Sequence, residues 1–339
     1  MRLVAWMLPV LLASPLLARP KTDVVVLDNG DRLTCEIKKL ERGKLTVKTD
    51  ASGTITVKWT HVLGIRTDFA FQLELQSGAR HTGPIEFLEP GKIGVGDGAE
   101  RTVVETLRVV EMIPIESSIL SRMKGSVDAG YDFTQATSAT TWSASAEITY
   151  RTPRNEVDLK ASSNIHEQEG SENTNRQNVS LVAQRFFQDR WFAAAIGQAE
   201  KSQNQGLDFR GLLGGGFGRR LVQTNRSRIS VVVGSAFSRE KFEDRSDFDS
   251  NAEIITAILA ETFRFDSPEL DLSGSLVVLP NMTTWGRYRL QANAKARIEL
   301  LRNFYWSLTV YESYDSQPAS ATSRRNDFGV TTSLGWSFK

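Results

Sequence analysis

Residues 326–339 read Asn326-Asp327-Phe328-Gly329-Val330-Thr331-Thr332-Ser333-Leu334-Gly335-Trp336-Ser337-Phe338-Lys339. Side chains of an extended strand alternate between two faces. Phe328, Val330, Thr332, Leu334, Trp336 and Phe338 therefore share one face, and Gly329, Thr331, Ser333, Gly335 and Ser337 the other. The first face is apolar and aromatic; the second is small and polar. A half-buried strand of a soluble sheet can look like this. A strand finishing on Trp and Phe also matches a transmembrane barrel strand, whose aromatics sit at the membrane interface. The strands upstream distinguish the two.

Working back from this stretch, the alternation recurs as far as Gly125. Trp142, Ala144, Ala146, Ile148 and Tyr150 oppose Ser143, Ser145, Glu147, Thr149 and Arg151; Val157, Leu159, Ala161 and Ile165 oppose Asp158, Lys160, Ser162, Asn164 and His166. The clearest run sets Tyr288, Leu290, Ala292, Ala294, Ala296 and Ile298 against Arg287, Arg289, Gln291, Asn293, Lys295, Arg297 and Glu299. A soluble sandwich tolerates one strand with so charged a face. Successive strands with this pattern, near the ~9–11 residues of a tilted membrane strand, predict a lipid-facing side and a polar lumen. Rougher runs bring the count to about 12, an even number as in bacterial barrels.

The connections alternate in length. Thr152–Asn155, Gln188–Arg190, Gln223–Arg226, Asp266–Pro268 and Arg302–Asn303 are short, whereas Glu167–Asn175, Lys201–Leu207, Glu240–Asn251 and Ser316–Arg325 are longer and polar. Short connections suit periplasmic turns and long ones outer loops. An even count puts both barrel ends on the periplasmic side, where the N-terminal segment must then lie. Aromatics near the short turns, among them Phe186, Phe192, Phe263, Tyr305 and Trp306 with Trp336 and Phe338, are expected to form an interfacial girdle. Trp306, Trp336 and Phe338 are the candidates for membrane-interface and assembly-signal residues.

On these alternating strands and the closing Gly329–Phe338, residues 125–339 resemble the YdiY-like, salt-induced outer-membrane proteins, a domain-of-unknown-function family. The resemblance implies an outer-membrane β-barrel and no catalytic residues. Barrels of this kind commonly finish on the aromatic itself, whereas Lys339 follows Phe338 here.

Composition agrees. The 339 residues carry 41 basic and 40 acidic side chains, 24% charged and 40% hydrophobic overall. This excludes a helical membrane protein, but not a barrel, in which alternate residues alone meet lipid. A net charge of +1 offers no global case for a nucleic-acid partner. The single cysteine, Cys35, excludes an internal disulfide and is expected to be a small buried side chain.

Residues 1–18 read as a secretory signal: Arg2, an apolar run over Leu3–Leu12, then Ala13, Ser14 and Ala18. Residues 21–114 contain an internal repeat. Leu27-Asp28-Asn29-Gly30, then Ile37, Glu41 and Gly43, match Leu75-Gln76-Ser77-Gly78, then Ile85, Glu89 and Gly91, at one offset. Each copy predicts strands joined at glycine turns. The block resembles tandem Sm-like or SH3-like small barrels. Such proteins often bind RNA, but export and scarce stacking aromatics argue against nucleic acid. It reads either as a periplasmic module for a protein or cell-wall polymer, or as a plain β plug. Residues 115–124 form a linker. The expected fold is thus all-β: an antiparallel transmembrane barrel of about 12 strands after a small periplasmic domain of two repeats.

No catalytic set, cofactor motif or metal site emerges. A barrel hydrolase acting on lipid or peptide would have to depend on His166, the one barrel histidine, which belongs to a polar inward position. Acids at Asp244, Asp247 and Asp249 are interrupted by Arg245, which argues against Ca²⁺. The lumen is the informative region, with Arg287, Arg289, Lys295, Arg297, Asp128, Glu147 and Asp158 as candidate lining residues. Their charges either pair across a filled barrel or border a narrow pore. The expected protein is an outer-membrane barrel of structural or envelope-stress role. Its partners would be outer-membrane lipid and the barrel-assembly machinery, in a Gram-negative-type envelope.

Overall fold

The computed structural model describes residues 20–98, 101–115, 122–134, 139–168, 174–243, 247–265, 268–301, 303–318 and 324–338. The signal reading at residues 1–18, most of the 115–124 linker, Asp244, Arg245 and Lys339 lie outside them.

The N-terminal domain holds β1 (Asp23–Leu27), β2 (Arg32–Glu41), β3 (Lys44–Thr49), β4 (Gly53–Lys58), β5 (Val62–Leu75), β6 (Arg80–Glu89), β7 (Lys92–Val95), β8 (Thr102–Glu105) and β9 (Val109–Pro114). Its sheet runs β4-β3-β2-β1-β5-β6-β7-β8, and β9 closes back on β2 and β5. The sequence repeat is also a backbone repeat. Gly30 N–H donates to Leu27 O, as Gly78 does to Leu75 O; Trp59 N–H donates to Gly43 O, as Thr106 does to Gly91 O. In both copies a 3-10 turn, Trp59–His61 or Thr106–Arg108, precedes the closing strand. β5 is shared: its first half closes copy one against β1, and its second half opens copy two against β9. One core results, with Val25, Cys35, Ile37, Leu40, Trp59, Phe71, Ile85, Ile93 and Met112 buried together. At about 1.5–3 kcal/mol per large apolar side chain, this core is what holds so small a domain. Trp59 Nε1 also donates to Thr106 O at 3.0 Å, tying the two copies.

The barrel comprises β10 (Met123–Thr134), β11 (Ala139–Arg151), β12 (Asn155–Gln168), β13 (Thr174–Phe186), β14 (Trp191–Ser202), β15 (Leu207–Gln223), β16 (Ser227–Phe242), β17 (Phe248–Arg264), β18 (Leu270–Pro280), β19 (Tyr288–Leu301), β20 (Phe304–Asp315) and β21 (Asn326–Phe338). These 12 strands close in sequence order, with β21 beside β10. The first strand begins at Met123, inside the expected linker. Strands run from 11 to 17 residues, longer than expected, mostly because they extend toward the long loops.

Burial is inverted relative to a soluble protein. Leu213, Phe217, Val233, Val330 and Trp336 are more than half exposed, while Asp128, Arg210, Glu240, Glu253 and Arg289 are buried. An apolar outer belt around a polar interior, on a sheet with no free edge, is a transmembrane barrel of the outer-membrane type. The closing strand lies in this wall, with Leu334 and Trp336 on the outside.

Several expected girdle aromatics point inward instead. Phe186, Phe192, Phe263 and Tyr305 are at least nine-tenths buried. The reason is strand parity: Tyr305 alternates with the outward Trp306, and Phe186 with the outward Phe187. Nor is the lumen uniformly polar. Leu212, Ala236 and Leu279, with Ile196, Ile255 and Val277, form an apolar cluster inside β14–β18. These strands looked rough in sequence because both faces carry apolar side chains. Gly216 faces Gly234 across β15 and β16, and a Cβ on Gly234 would come within 2.2 Å of Gly215 O.

Candidate functional site in the barrel lumen

Each strand of a barrel carries an inward charge to a height set by its position along the strand. The loop-ward inward positions of eight strands converge here. Arg210 on β15 donates to Glu240 on β16 at 2.8 Å and to Glu200 on β14 at 3.3 Å, and lies 3.7 Å from Asp315 on β20. Arg287 donates to Asp315 at 2.6 Å and to Glu240 at 2.9 Å. Arg289 donates through two nitrogens to Glu253 on β17. Arg176 on β13 donates to Asp327 on β21 at 3.0 Å. β15 and β20 are nearly opposite in the ring, so side chains that touch from both have crossed the bore. The β14–β15 connection adds to this: the turn Gln203–Gln205 folds inward, and Gln205 Nε2 donates to Ser313 O and Oγ at 3.3 Å. Bidentate Arg–carboxylate geometry suits such a dry site, because it satisfies several donors at once.

Below this cage the lumen is filled differently on its two sides. β14–β18 supply the apolar cluster. Opposite, Asp128 accepts from Lys295 (3.3 Å), Ser145 (3.2 Å) and Ser307 (3.2 Å). Arg297 donates to Ser126 at 3.3 Å and stacks over Tyr305 at 4.1 Å. Glu147 pairs with Lys160 at 3.0 Å, and Asp158 accepts from Thr149 at 2.6 Å. The candidate lining residues thus fall into two groups. Arg287 and Arg289 belong to the cage; Lys295, Arg297, Asp128, Glu147 and Asp158 belong to the layer beneath it. His166 lies at the loop end, with Nδ1 2.8 Å from Thr141 Oγ1. Trp306 Nε1 donates to Thr332 Oγ1 at 2.7 Å on the outer wall.

The turn end is covered by the N-terminal domain. Gln72 donates to Pro153 O, Arg80 to Phe186 O, and Asn225 to Leu107 O and Val109 O. Arg42 and Lys44 pair with Asp271 and Glu269. Four short turns of the barrel are therefore held. At the centre stands a row of glutamates. Glu41 is in register with Glu111, and Glu111 with Glu74, on adjacent strands β2, β9 and β5. Like charges directly opposite repel. Here each meets a cation of the barrel: Glu41 Lys124 at 2.5 Å, Glu111 Arg151 at 2.6 and 2.9 Å, and Glu74 Arg220 at 3.3 Å. Phe186 lies beneath, with Arg151 and Arg220 at 4.1 and 4.2 Å over its ring.

These ion pairs make docking pH-dependent. Burial pushes the Glu41 carboxyl up, but Lys124 and Lys39 outweigh it and hold the group well below its ordinary 4.5. Burial likewise opposes Arg220, Arg80 and Arg151 at Glu74, which also stays below 4.5. A carboxylate with a lowered value stabilises fully above its ordinary value, and that stabilisation is lost as pH falls through the lowered one. The domain is expected to stay docked at neutral pH and to loosen below 4.5. Faster hydrogen exchange over Leu107–Met112 at pH 3.5 than at pH 7, after correction for the intrinsic rate, checks this; equal protection refutes it.

Sequence reading missed the acidic row, its partners Arg151 and Arg220, and the hub pair Arg210 and Glu240. Which strands adjoin was not legible.

Comparison with known proteins gives the following. A family model described as "Protein of unknown function, DUF481" matches residues 127–338. No curated protein matches the chain in sequence. Among solved structures, a bacterial polysaccharide outer membrane secretin is similar at 9% identity and TM-score 0.33, over 80% of this chain and 96% of that one. The NanC porin is similar at 10% identity and TM-score 0.38, over 64% and 99%. The translocator domain of the autotransporter NalP from Neisseria meningitidis is similar at 12% identity and TM-score 0.32, over 64% and 86%.

Proposed function

The chain belongs to the DUF481 family of proteins of unknown function, whose model spans the barrel, and we propose that it is a plugged outer-membrane barrel, a structural scaffold rather than an open pore. In this reading residues 1–18 direct export, the barrel is inserted by the assembly machinery, and the N-terminal domain faces the periplasm against the barrel mouth. The observation that carries it is the pair of closures in series. The Arg210 and Arg287 bridges cross the bore at the loop end, and the Glu41–Glu111–Glu74 row seals the turn end. Charged groups at a channel mouth conduct only if water and ions pass between them. Direct pairing of this kind leaves a barrier instead.

The test is conductance in planar bilayers. The intact protein is expected to pass no steady current. Because the closures act in series with the filled layer between them, opening either end, by Arg210→Ala/Arg287→Ala or by Glu111→Lys, is expected to leave the barrel blocked. Steady, ion-selective current through the intact protein would overturn the scaffold reading in favour of a narrow pore.

A second reading, a binding module anchored by the barrel, is favoured by one feature. Among the described residues, β4 and β8 end the domain's sheet with no strand paired on their outer side, and Val103 on β8 is exposed. An edge of this kind accepts an added strand. Cross-linking the full chain through a photoreactive group at Val103 is expected to capture one periplasmic protein in that case, and none if the domain is a plug alone.

A further inference from the structure

The wall of the barrel is not equally zipped all round. Every other neighbouring pair of strands shares at least nine register partners, the fewest being between β17 and β18. At the closing seam, β10 and β21 are in register only over Gly125–Ala129 against Leu334–Phe338. The paired part is the turn-ward half, so the ladder stops midway along the wall. Just beyond it, Gly130 is pressed against β21: a Cβ there would come within 2.7 Å of the Thr332 carbonyl oxygen and 2.3 Å of Ser143 Oγ.

At this point the outer surface holds a groove of about 600 Å³. Its floor is a cross-strand row of small side chains, Ala129 beside Ala144 and Ala144 beside Ser163, on β10, β11 and β12. Its rim is aromatic: Tyr131 and Trp142, with ring centroids 4.5 Å apart, and Trp306. The Trp306 bond to Thr332 holds one side of the rim in place. The groove is therefore pre-formed, apolar and placed in the belt that faces lipid.

We infer that this groove is a site for one acyl chain of a membrane lipid, lying over the seam beyond the point where its ladder stops. The inference rests on the transmembrane reading of the barrel. Hydrocarbon is the only solvent in that belt, and a groove left empty forfeits the dispersion contacts of its lining. A convex wall offers a passing chain one side of contact. This trough offers a floor and two aromatic sides, so a chain seated there should exchange more slowly than its neighbours.

The test is native mass spectrometry of the detergent-purified full chain, with Ala129→Phe/Ala144→Phe as the groove-filling variant and Leu213→Phe, on a different part of the wall, as control. The wild type and the control are expected to retain one phospholipid per barrel under activation that strips the rest, and the groove-filled variant to retain none. A wild type without retained lipid, or a filled variant that keeps it, would overturn the site. So would a wild-type dimer made monomeric by filling, because the occupant would then be a second copy. Should the filled variant not fold, a phospholipid with a photoreactive acyl chain decides on the wild type alone. Cross-links concentrated on residues 129–131 and 332–334 are expected; uniform labelling around the belt refutes the site. A chain found in the soluble fraction would instead defeat the transmembrane reading, which separates the two failures.

Discussion

Replacing Arg210 with alanine is expected to lower the unfolding free energy by about 3–5 kcal/mol, the usual cost of breaking a buried ion pair from one side. Arg210 is the strut of the loop-end cage, touching Glu200, Glu240 and Asp315 from one guanidinium. The cage joins four arginines, 176, 210, 287 and 289, to five acids, 200, 240, 253, 315 and 327. It is already one negative charge in excess, and losing Arg210 makes the excess two, in a site nearly closed to water. Urea unfolding in detergent micelles, followed by the mobility difference between folded and unfolded barrel, measures the effect. Arg210→Lys should fall between, because an ammonium cannot bond three carboxylates in a plane. Arg210→Ala/Glu200→Ala should be less damaging than the sum of its parts, since it also removes the carboxylate that loses its hydrogen bond from Arg210. A loss below about 1 kcal/mol for Arg210→Ala would mean that the site behaves as a hydrated surface pair, and the barrel could not be called plugged there.

Glu111→Lys is expected to undock the N-terminal domain while leaving both domains folded. Glu111 stands in the middle of the acidic row and is bonded by two nitrogens of Arg151. Reversal replaces that bidentate bond with a cation against Arg151 and Arg220. Breaking a buried pair of this kind costs about 3–5 kcal/mol, roughly a hundredfold or more in the docking equilibrium. The domain should keep its fold, because its core is the separate cluster around Trp59, Phe71 and Met112. Hydrogen exchange over Leu107–Met112 should rise while the barrel strands remain protected. Glu111→Lys/Arg151→Glu restores the opposite charges and should recover part of the protection, limited by Glu156 beside the new acid. Unchanged exchange in the single variant would show that the remaining turn contacts suffice.

Much of the architecture was legible because strand chemistry is local. Period-2 alternation, short turns such as Thr152–Asn155, and an even strand count need no knowledge of the neighbours. The same holds for the repeat at Gly30 and Gly78, whose turn bonds recur in the structure. Girdle assignment was less secure. An aromatic at a strand end serves the lipid face or the lumen according to parity, and a single bulge changes parity. Phe186 and Tyr305 fell on the inner side by parity alone, with no register shift in β13 or between β20 and β21.

What the sequence by itself determined was the kind of surface: which residues of a regularly alternating strand share a face, and where the chain turns. These follow from the geometry of one strand. Only the tertiary structure decided that the bore is crossed, because Arg210 and Asp315 lie on strands five apart in the ring and meet only when the barrel closes. It alone set Glu41, Glu111 and Glu74 side by side, since β9 pairs with both β2 and β5. Residues 326–339 illustrate the division. Their alternation announced a barrel wall, but that this strand zips to β10 over only five of its 13 residues depends on register between the two ends of the sheet, which no local pattern encodes.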